Sequence, residues 1–123
     1  MGSLKTTHDL AKELTIVKAE GKMTAKDFMN WLNEYHLGKV TPLILWDLTA
    51  ADVSNILARE LSELAKEASK RAHLREKGKS ALVFSRDNFG LGRVFEILSN
   101  VEATALEYRS FLDVNEAREW LGV

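Results

Sequence analysis

The chain has 123 residues, 46% hydrophobic and 28% charged, and its 17 basic and 18 acidic side chains leave a formal charge of −1. That length predicts one domain over residues 1–123 with a single real core, and the charge balance gives no global field to draw in nucleic acid or an anionic membrane. The absence of cysteine excludes disulfides, thiolate catalysis and cysteine-ligated zinc, and fits a reducing cytoplasm.

The start, Met1-Gly2-Ser3-Leu4-Lys5, lacks the apolar block of a signal peptide. No later run approaches the roughly 20 apolar residues that span a bilayer, so a cytoplasmic protein without a membrane span is expected. Thr6 to Asp9 reads as a short edge strand and Leu10 to Lys12 as its turn. Glu13 to Glu20 is a strand, with Leu14 and Ile16 on one face, Val17 and Ala19 on the other, and Gly21 at its end. Thr24 with Asp27 forms a capping box, which predicts a helix from Ala25 to about Tyr35. Its apolar face is Phe28, Trp31, Leu32 and Tyr35, at helical spacing.

Pro42 introduces the run Leu43-Ile44-Leu45-Trp46-Asp47-Leu48-Thr49. Apolar residues at both parities predict a central strand covered on both faces. An irregular turn over Thr49 to Asp52 leads into a helix from about Ser54 to Ala72, buried along Val53, Ile56, Leu57, Leu61, Leu64, Ala65 and Ala68. Its outer face mixes signs, and Glu67 with Arg71 is a favourable pair. Arg75 to Lys79 is a charged loop, and Ala81-Leu82-Val83-Phe84 a second central strand. Ser85 to Asn88 offers N-caps for a helix burying Leu91, Val94, Phe95 and Leu98. Ala105 to Leu112 alternates, with Leu106 and Tyr108 inward, as a strand nearer an edge. Asp113 with Glu116 caps a last helix that buries Ala117, Trp120 and Leu121. Strands alternating with helices predict an α/β fold: one mixed, mostly parallel sheet of four to five strands with helices packed on it.

Four stretches in this order carry a family resemblance. They are Ala19-Glu20-Gly21-Lys22-Met23-Thr24, Leu43-Ile44-Leu45-Trp46-Asp47-Leu48, Phe89-Gly90-Leu91-Gly92-Arg93-Val94-Phe95-Glu96, and the ending from Phe111 to Leu121. From Glu13 onward the chain resembles the SpoIIAA-like, or STAS-like, proteins, which are related in fold to the CRAL-TRIO lipid carriers. The resemblance implies a four- or five-stranded mixed sheet with four helices. In the anti-sigma-factor antagonists of this class, a serine in an Asp-Ser-Ser-Gly motif opens the helix after the central strand and is phosphorylated by a partner kinase. The matching positions are Asp52-Val53-Ser54-Asn55, which agree at Asp52 and Ser54 and depart at Val53 and Asn55.

The candidate rim for a partner or ligand is therefore Asp47, Thr49, Asp52 and Ser54. The carboxyl ends of strands in an open sheet are where binding crevices form. A phosphate on Ser54 at a helix start would meet free amides; the plainer alternative is an ordinary N-cap. Asp47 either works in the crevice or caps the turn through the amides of Thr49 and Ala50. A second rim comprises Ser85, Arg86, Asn88 and Arg93, with Arg93 placed to meet an anionic head group. Phe89-Gly90-Leu91-Gly92-Arg93 is no dinucleotide or phosphate loop, and its glycines read as close-packing positions. His8, His36 and His73 have no metal-ligand spacing, and no cofactor or nucleophilic triad is indicated. The expectation is a non-enzymatic regulatory module that docks a protein. The rival is a carrier of a lipid or small apolar ligand, which needs a pocket of several hundred Å³ in space that Trp31, Trp46 and Phe95 should fill. An enzyme ranks last, with only Asp47 and Asp52 as acid or base. A homodimer through a sheet edge or helix face is compatible with the pattern.

Overall fold

The run Leu43-Ile44-Leu45-Trp46 buries both its faces because it opens the middle strand of five. In the computed structural model, which describes residues 2–75, 77–102 and 106–123, the strands are β1 (Ser3–Asp9), β2 (Leu14–Lys22), β3 (Leu43–Asp52), β4 (Lys79–Phe84) and β5 (Glu107–Phe111). The helices are α1 (Ala25–Tyr35), α2 (Ala58–Lys70), α3 (Phe89–Glu102) and α4 (Val114–Leu121). Spatial order follows chain order, β1 to β5; β1 pairs antiparallel with β2, and every other pair is parallel. Glu76 of the expected charged loop and Ala105 of the expected last strand lie outside the described residues.

A sheet that adds strands always on the same side sends each same-handed crossover over the same face. Accordingly α1, α2 and α3 share one layer, over Val17, Ile44, Trp46, Leu48, Leu82 and Tyr108. The chain crosses to the other face only after β5, where α4 packs Ala117 and Leu121 on Leu14, Leu45, Ala81, Val83 and Phe111. The two faces of β2 and β3 divide as their alternation predicts.

The join between β3 and α2 differs from expectation. β3 continues to Asp52, and α2 begins at Ala58 rather than Ser54. A register shift against β2 turns Ala51 into the core at 5% exposure, which keeps the strand worth extending. Val53 and Ile56 are then both buried, at 2% and 5%. Burying both draws the chain through a turn, closed by the Ile56 amide on the Val53 carbonyl. The helix is capped instead by Glu60, whose Oε1 accepts from the Leu57 amide at 2.9 Å. Ser54 is therefore not the N-cap.

α3 is also rotated from its expected facing. Val94 is 43% exposed, while Gly92, Glu96 and Ser99 face inward. Two demands set this rotation. A Cβ on Gly92 would lie 2.3 Å from the Phe84 ring, so only glycine lets α3 approach β4; Gly90 meets nothing within 4 Å and has no such role. The free edge of β5 must also be closed. Glu96 Oε1 accepts from the Ser110 amide at 2.5 Å, and Asn100 both accepts from the Tyr108 amide at 2.9 Å and donates to its carbonyl at 3.0 Å. At the opposite edge, Trp31 Nε1 donates to Thr6 Oγ1 at 2.8 Å, tying α1 to β1.

Candidate functional site

The first rim is two separate turns. Asp47 Oδ1 accepts from the Thr49 amide at 3.1 Å and its hydroxyl at 2.6 Å. Asp52 Oδ1 accepts from the Ser54 amide at 3.0 Å and its hydroxyl at 2.6 Å. Asp47 pairs in register with Lys18 and Val83, whose parity belongs to the α4 face. Asp52 and Ser54 instead lead over the carboxyl edge toward α2. No hydrogen bond joins the two pairs among the described residues. The Asp47 geometry matches the turn-capping reading through Thr49. Donors from the Ser54 hydroxyl and amide, with Lys22 nearby, hold the Asp52 carboxyl below the usual carboxylate range.

The second rim is tied to the first through Asn88. Its side-chain amide donates to the Ala51 carbonyl and to Ser85 Oγ, both at 3.1 Å. Arg86 is exposed on the same turn. Arg93 does not join this rim, because Glu96 holds its guanidinium at 2.7 Å. Binding crevices of open sheets need neighbouring strands whose helices leave toward opposite faces. Here that parting falls between β4 and β5, beside Ser85, and not beside Asp47.

Behind the rim, between the sheet and α1, α2 and α3, lies an apolar cavity of about 80 Å³. Trp46 and Phe95 border it and do not fill it; Trp31 stacks on Tyr35 at 4.5 Å and stays out of it. The volume falls short of the several hundred Å³ that a whole lipid would need. Its surface is almost wholly apolar, and the polar side chains at its border are Arg75, Ser80 and Tyr108. Arg75, 5% exposed, donates to the carbonyls of Thr41, Pro42 and Lys79 and to Ser80 Oγ, at 2.9–3.0 Å. Burial pushes the Tyr108 hydroxyl above its ordinary value and pulls Arg75 below its own. Beside them Thr15, Tyr35 and Thr41 share hydroxyl hydrogen bonds of 2.7–3.2 Å.

No family model and no curated protein matches the chain. Among solved structures, it matches an uncharacterized protein of the DUF3478 family from Shewanella loihica PV-4, described as having a SpoIIAA-like fold. The TM-score is 0.59 at 21% identity, over 98% of this chain and 93% of that one. The fold is SpoIIAA-like.

Within this SpoIIAA-like fold, the structure brings Asp52 and Ser54 together, joins Ser85 and Asn88 to the end of β3, and leaves Asp47 with Thr49 apart from both. Among the described residues, no group of three His, Asp or Glu side chains could hold a metal ion, and no helix is long and apolar enough to cross a membrane. Arg75, Ser80 and Tyr108 were not candidates in the sequence. Arg75 sits in a charged run that reads as solvated, and only Tyr108 carried a signal, its inward parity on β5.

Proposed function

We propose that this SpoIIAA-like domain is a non-enzymatic regulatory module that docks a protein partner at the carboxyl edge of its sheet, through the loop between β3 and α2. The observation that carries this reading is the presentation of that loop. Val53 and Ile56 anchor it in the core, while Ser54, Asn55 and Leu57 face solvent, with Leu57 at 50% exposure. A loop anchored at Val53 and Ile56 that offers polar groups beside a leucine is suited to a protein surface.

Phosphorylation of Ser54 would regulate this docking through the turn, since the serine does not open the helix. The hydroxyl now donates to Asp52 at 2.6 Å. A phosphate removes that donor and sets about two negative charges against the carboxylate, opening the loop. Affinity capture from the host with wild type, Ser54→Asp and Leu57→Asp, each at matched folding, tests the reading. A partner retained by wild type should be lost from both variants. Equal recovery on all three forms would exclude this docking surface, and intact-mass measurement on the host protein reports the phosphate itself.

A further inference from the structure

We propose that the cavity under α1, α2 and α3 is a binding site for a short amphipathic anion, an alkyl or aryl carboxylate held with its carboxylate toward Ser80, Tyr108 and Arg75. This site goes beyond the docking reading and stands independently of it.

Size comes first. About 80 Å³ is several times the ~10–15 Å³ one water requires, and it is well below the ~300–1,000 Å³ of sites for drug-sized ligands. The walls around Leu48, Leu82 and Phe95 offer water no partners, so the apolar part of the cavity favours a hydrocarbon. The polar end is a built arrangement. Ser80 and Tyr108 are register partners on β4 and β5, so their side chains stand together on the cavity face. Arg75 lies beside both. Among the described residues its hydrogen bonds reach the carbonyls of Thr41, Pro42 and Lys79 and the Ser80 hydroxyl, none of which carries a negative charge. Ser80 Oγ accepts from Arg75 Nη1 at 3.0 Å, which directs the serine's own hydrogen away from the guanidinium. The Tyr108 hydroxyl can donate in the same way. Two hydroxyl donors over a buried cation recognise an acceptor with negative charge, and charge-assisted bonds of this kind are about twice as strong as neutral ones. A carboxylate on a short chain satisfies both ends of the cavity.

Calorimetric titration with sodium hexanoate and with 1-hexanol tests the site, using wild type, Tyr108→Phe and Ala68→Leu, each first checked for native amide spectra. Ala68 lines the cavity from α2, and leucine there takes up its space. Hexanoate should bind wild type about tenfold more tightly than hexanol. Tyr108→Phe should weaken hexanoate about tenfold and leave hexanol within about twofold. Ala68→Leu should lose both. No binding of hexanoate to wild type, equal binding of the two ligands, or undiminished binding to Ala68→Leu would each overturn the proposal.

Discussion

Arg75 illustrates how one side chain can organise the amino ends of the parallel strands. Its guanidinium joins the carbonyls of Thr41 and Pro42, just before β3, to Lys79 and Ser80 at the start of β4. Arg75→Met keeps much of the stem and strands those buried carbonyls. Urea denaturation should show a loss of about 3 kcal/mol or more. His36 offers a second test at this scale. Its Nδ1 donates to the Leu32 carbonyl at 2.7 Å. Desolvation lowers its pKa most; the carbonyl bond opposes this, and Arg71, Arg75 and His73 lower it further. The native chain thus resists a proton that the unfolded chain accepts near its ordinary value of 6.5. The contribution is complete above about pH 6.5 and is lost as pH falls toward the depressed native value. The denaturation midpoint should fall between about pH 7 and 5, and His36→Gln should flatten that fall. Neither role was readable in the sequence. Polarity marks Arg75 and His36 as solvent-facing, and only the tertiary path of the loops before β3 and β4 covers them.

At the scale of elements, α3 does what a sixth strand would otherwise do. Side chains of Glu96 and Asn100 take the Ser110 amide and both backbone groups of Tyr108, which covers that part of the β5 edge. Asn100→Ala should speed hydrogen exchange at the Tyr108 amide and cost about 1–2 kcal/mol, with the amides of β3 unchanged. This explains a limit on legibility. Apolar spacing alone assigns Val94 to the core, but α3 faces β5 partly through polar groups, and that turns Val94 outward. The other elements were legible where one signal ruled locally. The Thr24–Asp27 box does cap α1, with bonds of 2.9 and 3.3 Å. α2 was placed four residues early because Val53 and Ile56 are apolar at helical spacing. Their burial serves an extended turn instead, a tertiary demand that periodicity cannot separate from helix.

For the molecule as a whole, the two faces of the sheet are packed to different ends. One carries three helices and a cavity of about 80 Å³; the other carries α4 alone, over a smaller cluster. The mixed, mostly parallel sheet was legible from the alternation of strand and helix patterns. The slack in one layer was not, because it depends on how far α2 and α3 stand off Trp46 and Leu82. The same substitution should therefore have opposite signs on the two faces. Ala68→Leu extends into the cavity, and burying the added methyl groups should stabilise the protein by about 1 kcal/mol. Ala81→Leu adds the same groups at a position that is 0% exposed, in the cluster that α4 covers. There the added volume must displace Leu45 or Phe111 or lift α4, at a cost of about 1–3 kcal/mol. Thermal and urea unfolding of both variants measure the difference directly. A loss of stability in both would mean that the upper layer is already closed around its core and that the room beneath α2 is not available to any ligand.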